Sequence, residues 1–231
     1  MRHTTVVLTA VLWACALTGA AARTATNAPG APPAPSATAA PAAAGPTEVV
    51  TTAAQGMLGD LDRDRDRYRR DPAKVGELVN KYLLPHWDTE LSARLVLGRY
   101  WRSATPEQRK HFVEAFYRSL LNNYGDALAD FTADRLKIFP SKVDADASRA
   151  TVRTEVKRSN GESVSVNYYL HRTPEGWKAW DVVIDGISYV NSYREDFGAQ
   201  IEQQGIDSVI KRLESGEKPG AIGRQIKGKS S

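Results

Sequence analysis

Only a few side chains in this sequence are of a type and spacing that could do chemistry. The 231-residue chain holds four histidines and one cysteine. His3 sits at the extreme N-terminus. His86 stands beside Trp87 and Asp88 at a helix boundary, where capping is the simpler role. His111 follows Lys110 on a helical stretch, and His171 lies in an unrelated context. No G-x-S-x-G elbow is present, so nucleophilic catalysis has little to work with. Two carboxylates, Asp181 and Asp185 in "WKAWDVVIDG", are candidates for a general base, since burial in an apolar cavity would tune their pKa. Strand alternation gives Asp181 the opposite parity to Trp180 and Val182 and points it away from the apolar side. Asp185, before Gly186, suits a cap or a turn.

One cation motif also needs weighing. "DADASRATVRTE" places Asp144, Asp146, Ser148 and Glu155 at the first, third, fifth and twelfth positions of a calcium loop. The sixth position, which needs glycine for the sharp turn, is Arg149, a cation aimed at a cation site. Residues 151–156 also alternate like a strand. We therefore read an exposed acidic turn and expect no metal.

Charge excludes little but narrows the classes. The formal net charge is +4. It falls to +3 once Arg2 is removed, and the basic residues are mixed with acids. Nucleic-acid binders show a one-signed stripe with interleaved aromatics, and none is present here.

The N-terminus reads as a leader. A basic start at Arg2 and His3, an apolar run over 6–17 and then Gly19-Ala20-Ala21-Ala22 form the layout of a signal peptide over residues 1–22. The apolar run is short for a membrane span, so no integral membrane segment is expected. Leu12-Trp13-Ala14-Cys15 loosely resembles a lipoprotein box, which offers tethering through Cys15 as an alternative to a free exported product. Cleavage after Ala22 leaves no cysteine and hence no disulfide support. Residues 23–46 are nearly all Ala, Pro, Thr, Gly and Ser, a linker composition. A single domain is expected over 47–214, with a flexible basic tail over 215–231.

Within that domain the hydrophobic period changes twice. Residues 47–70 read as one helix ending in the charged "DLDRDRDRYRR". Asp71-Pro72 starts a second helix, which Pro85 stops, and residues 88–100 give a third. Thr105-Pro106-Glu107-Gln108 is a capping box. It opens a long helix striped by Phe112, Val113, Phe116, Tyr117, Leu120, Leu121 and Tyr124, with a short continuation to Phe131. Strand alternation follows over 135–139, 150–158, 163–170 and 177–184, with "SNG" at 159–161 and "TPEG" at 173–176 as turns. Helix returns over 188–204, is ended by Gly205, and resumes over 206–213. The fold class is α+β: a curved four-stranded antiparallel sheet with helices packed on one face. Its large apolar surface suits either a filled core or a core with a ligand cavity, because periodicity does not distinguish the two.

The stretch "ARLVLGRYWRSATPEQRKHFVEAFYRSLLNNYGDAL" resembles the MlaC family of periplasmic phospholipid-binding proteins. Ala93, Leu97, Gly98, Trp101, Ala104, Thr105, Pro106, Gln108, Arg109, Phe112, Phe116, Tyr124 and Leu128 match its pattern. "GWKAWDVVIDGISYVNSYREDF" is similar to a second family stretch, and Gln203 to Asp207 to a third. The resemblance runs in order over residues 71–213. It implies a soluble carrier of glycerophospholipid between an outer-membrane lipoprotein complex and an inner-membrane ABC transporter complex. The acyl chains would sit in an apolar pocket enclosed by sheet and helices. Phospholipid is then the transported ligand, and no cofactor, catalytic residue or nucleic acid is called for. Alternation supplies the strand residues that face such a pocket: Val152, Val164, Val166, Tyr168, Leu170, Trp180, Val182 and Ile184. The helical candidates are Val96, Leu97, Tyr100, Phe112, Phe116, Leu120, Tyr193 and Phe197. Two other readings stay open from the residues alone. One is a cavity enzyme on a small apolar substrate using Asp181 or Asp185; the other is an exported adaptor with a solid core.

Overall fold

A computed structural model of the chain describes residues 44–71, 73–129, 135–144, 146–157 and 161–216. The leader, Cys15, the linker up to residue 43, Phe131, most of the "SNG" turn and the tail from residue 217 lie outside the described residues, as do the side chains of Tyr124 and Leu128.

Each helix begins and ends where local chemistry requires. Helix α1 (Pro46–Arg63) has proline in its first turn, where its missing N–H costs nothing. The single helix expected to residue 70 divides at Asp64. That residue leaves helical geometry, and its side chain accepts the Arg67 N–H, starting α2 (Arg65–Arg70). Helix α3 (Ala73–Leu78) runs into a π-helical turn at Val79–Leu83 and a 3-10 turn at Leu84–His86. Helix α4 (Thr89–Leu97) is capped by Asp88, whose Oδ1 accepts the Leu91 N–H at 2.8 Å. It stops before the expected end at residue 100 because Gly98 turns the chain with φ 53°, a conformation that favours glycine. A short α5 (Tyr100–Ser103) follows. The capping box then forms as expected: the Gln108 N–H donates to Thr105 Oγ1 at 3.2 Å, and Gln108 Oε1 accepts the Thr105 N–H at 3.0 Å. Helix α6 (Pro106–Ala129) runs on from it.

The sheet is an antiparallel meander in chain order: β1 (Leu136–Ile138), β2 (Arg149–Lys157), β3 (Ser163–Thr173), β4 (Gly176–Ile184) and β5 (Ile187–Ser188). It has five strands where four are expected. The extra strand is two residues long, too short for alternation to register. It exists because Asp185 and Gly186 both adopt positive φ, 49° and 82°, as a two-residue hairpin of the Asp-Gly kind requires. Between β3 and β4 the register slips: Tyr169 pairs with Asp181 but Leu170 with Ala179, so Trp180 is the extra residue of a bulge. Helix α7 (Tyr189–Gln204) starts directly after β5, and Gly205 separates it from α8 (Ile206–Glu214).

The buried apolar residues fall into three clusters. The largest joins α4, α6, α7 and α8. A second joins α1 through Met57, Leu58 and Leu61 to Tyr68, Val75, Leu78 and Val79. The third sets Val49 of α1 against Val152, Leu170, Trp177 and Ala179 of the sheet. Helix α1 is thus a bar fastened at both ends. Its C-terminal half meets the π-helical turn so closely that a Cβ on Gly56 would lie 2.5 Å from the Tyr82 ring. The Tyr82 hydroxyl donates to Asp60 Oδ2 at 2.6 Å, and Lys81 Nζ lies 2.9 Å from the same oxygen. Both hold the Asp60 carboxyl down to a pKa of about 2, from an ordinary 3.8.

Two outcomes follow for stability. Gly56→Ala is expected to destabilise the protein by roughly 1–3 kcal/mol in urea unfolding, through overpacking against Tyr82. A carboxyl depressed in the folded state stabilises it above the unfolded pKa and loses that contribution as pH falls through the folded value. The urea midpoint of the wild type is therefore expected to drop as pH falls from 3.8 to about 2, and Asp60→Asn to drop less over the same window.

Candidate functional site: the inner face of the sheet

One face of the sheet looks toward the helices. Cross-strand partners define it: Ala150 with Leu170 and Ala179, Val152 with Tyr168 and Val182, Thr154 with Val166 and Ile184, and Val156 with Val164. The opposite face carries Thr151, Arg153, Ser165 and Tyr169, all exposed. The expected inward strand residues thus share one face, apart from Trp180. That residue lies in the bulge, 6.0 Å from the Tyr169 ring, and packs against the helical cluster.

Burial divides this face into two parts. Val152, Val164 and Leu170 are buried, as is Thr154, whose hydroxyl donates to the Val166 carbonyl at 2.7 Å. Val166, Tyr168, Val182 and Ile184 remain half-buried. Tyr168 combines two properties: its side chain keeps accessible surface, yet burial pushes its phenol pKa upward. It packs at the margin of the cluster that Val49 forms with Val152, Leu170, Trp177 and Ala179.

The helical candidates divide in the same way. Val96, Leu97, Phe112, Phe116, Tyr193 and Phe197 are buried in the largest cluster. Phe112, Phe116, Tyr193 and Phe197 form a closed aromatic unit, with ring centroids 5.1 to 5.7 Å apart in stacked and edge-to-face pairs, at favourable aromatic geometries. Tyr100 and Leu120 are half-buried at its margin. The Tyr100 hydroxyl lies 3.3 Å from the Gly198 carbonyl of α7.

The two candidate bases are both engaged with backbone. Asp181 does point away from the inner face, but it is 4% exposed and not in solvent. It accepts the Ser188 hydroxyl at 2.7 Å and the Val190 N–H at 3.0 Å, at the first turn of α7. Asp185 is exposed in the hairpin turn and accepts the Ser165 N–H at 3.1 Å. The histidines are dispersed: His111 lies 3.2 Å from Glu214, and His171 lies 2.9 Å from Asp88.

A profile of the MlaC protein family matches residues 51–215. The chain belongs to the MlaC family. It is 33% identical over 163 residues to toluene tolerance protein ttg2D of Pseudomonas putida, spanning 70% of this chain and 75% of that protein. It is 25% identical over 172 residues to the intermembrane phospholipid transport system binding protein MlaC of Haemophilus influenzae, 73% of this chain and 80% of that one. The phospholipid-binding protein of Ralstonia solanacearum, solved in complex with a phospholipid, superposes with a TM-score of 0.70 at 28% identity. That match covers 75% of this chain and 97% of the other.

The MlaC pattern residues of this chain mostly hold the fold. Gly98 turns α4, Thr105 and Gln108 cap α6, and Arg109 Nε donates to the Trp101 carbonyl at 2.9 Å. Asp181 and Ser188 fasten α7 to the sheet. Apart from the capping box, hydrophobic periodicity gave these roles no signal, because it reports which face is apolar and not which backbone group needs a partner. Asp181→Ala is expected to cost roughly 1–3 kcal/mol by urea unfolding, since it strands a buried backbone donor. Asp185→Ala, at an exposed turn, is expected to cost less.

Proposed function

We propose that this chain is an exported phospholipid carrier that holds acyl chains against the inner face of its sheet. The observation that carries the reading is the half-buried centre of that face. Val166, Tyr168, Val182 and Ile184 keep accessible surface, with Val182 and Ile184 at the edge of the helical cluster and Tyr168 at the edge of the sheet cluster. A compact domain normally has one contiguous core, so apolar side chains left open at the edges of two clusters suit walls of a space. The phospholipid bound to the Ralstonia relative supports the same reading.

The energetics suit a carrier. Burying acyl chain is worth about 0.8 kcal/mol per CH₂, so drawing some thirty methylenes through water costs on the order of 20 kcal/mol. Transfer into an apolar protein space removes most of that cost with no covalent step. Leader residues 1–22 and the Ala- and Pro-rich linker between them and α1 fit export to the periplasm, with Cys15 the point of attachment if the product is tethered. The membrane complexes at either end of the route are those the family resemblance implies: an outer-membrane lipoprotein complex and an inner-membrane ABC transporter. No described helix is long and apolar enough to cross a membrane. The half-buried inner face favours a carrier over a solid-cored adaptor, and the backbone duties of Asp181 and Asp185 give the enzyme reading little support.

Native mass spectrometry of protein purified from cells is expected to show bound phospholipid. Val166→Arg should lower the bound fraction roughly tenfold or more, because an unpaired charge is costly to bury. Ser165→Arg, on the exposed face, should leave it unchanged. A protein that carries no lipid, and takes none when offered it, would remove this reading.

A further inference from the structure

A second concave site shares no lining residue with the inner face of the sheet. Where α4 and α5 meet α7, an open cleft of about 550 Å³ is lined by Arg94, Leu95, Gly98, Trp101, Arg102 and Arg194. Its floor is fixed on both sides. The Arg194 stem lies over Gly98, where a Cβ would meet its Cδ at 3.5 Å. Arg194 Nε donates to the Leu95 carbonyl at 2.7 Å, occupying one of the acceptors left open at the end of α4. On the other side the Arg109 guanidinium, 5.2 Å from the Trp101 ring centroid, also bonds the Trp101 carbonyl.

The charges of the cleft are not balanced. The neighbouring Arg99 lies 3.5 Å from Glu202. Arg94, Arg102 and Arg194 form no ion pair among the described residues, and no carboxylate lines the cleft. The negative end of α4 accounts for one cation near its last turn. It does not account for three arginines around one concavity whose lining also holds a leucine and an indole. Guanidinium forks match oxyanions in bidentate geometry, and the volume falls in the range of small-molecule sites. A phosphate, with up to three unesterified oxygens, can engage three such donors where a carboxylate has two oxygens.

We propose that this cleft binds a phosphate group, as a site separate from the acyl-binding face. The phosphate comes either from a lipid headgroup, whose glycerol and first methylenes would rest on Leu95 and Trp101, or from a free soluble phosphate.

The test is an NMR titration of the purified chain that follows the Trp101 indole N–H and the arginine Nε–H signals. The probes are inorganic phosphate, monomeric dihexanoyl phosphatidic acid, and an acidic tripeptide of two aspartates and a leucine. Saturable shifts with phosphatidic acid, tighter than with inorganic phosphate, support the site and assign a headgroup. Equal affinity supports the site and assigns free phosphate. The double variant Arg94→Gln, Arg102→Gln changes two exposed side chains. It is expected to weaken binding roughly tenfold per arginine, while phospholipid co-purifying with the same variant stays at the wild-type level. Shifts that are absent for both phosphates, unchanged in the variant, or matched by the tripeptide would overturn the proposal. Loss of co-purified lipid from the wild type would count against the interior site alone.

Discussion

The buried carboxylate of Asp181 fixes the relation between sheet and helices. A buried polar group without partners is costly, and this one is satisfied by the Ser188 hydroxyl and the Val190 N–H. Those partners lie on the far side of the Asp185–Gly186 turn, so the bonds hold β4, β5 and the start of α7 as one corner. Everything α7 carries is aimed from that corner. Tyr193 and Phe197 enter the aromatic unit with Phe112 and Phe116, and Arg194 reaches back to the end of α4. The bulge at Trp180 belongs to the same arrangement. Its extra residue leaves Asp181 on the outer side while Val182 and Ile184 still face the helices.

Packing is then uneven by design of the sequence. Where helices meet helices, the side chains are large, aromatic and closed. Where helices meet the middle of the sheet, they are valine, isoleucine and tyrosine and remain half-buried. Helix α1 joins two of the clusters, with Val49 on the sheet cluster and Met57 to Leu61 on the cluster around the π-helical turn. Because Gly56 lets the Tyr82 ring approach so closely, that attachment is tight at its C-terminal half.

Much of this is legible from residue patterns. The capping box at Thr105 and Gln108, the alternation of Val164, Val166, Tyr168 and Leu170, and the turn at residues 173–176 all report local preferences, and local preferences set the elements here. The misses share a cause. Asp64 breaks a charged helix that looks continuous because its side chain serves as a cap. Gly98 ends α4 by its backbone angle, and β5 is too short to alternate. The division of candidate residues into closed core and half-buried wall depends on which helix lies opposite each one, and no single-chain period encodes that. The arginine cleft escaped for the same reason, since Arg194 of α7 joins Arg94 and Arg102 only through the packing of α7 on α4 and α5.

The order of strands has a consequence for how the chain assembles. A meander in chain order pairs each strand with its neighbour in sequence, so its contacts are local and their loop-closure cost is small. The helices are the exception: α4 and α6 wait for α7 and α8, and α1 waits for the sheet. Thr47 and Val49 find their partners at Ser141 and Val152, roughly a hundred residues on. During synthesis α1 therefore emerges first but gains its sheet contacts only after β2 and β3 exist. Until then only its C-terminal half is covered, by the nearby Tyr68, Val75, Leu78 and Val79, and Val49 waits for the sheet.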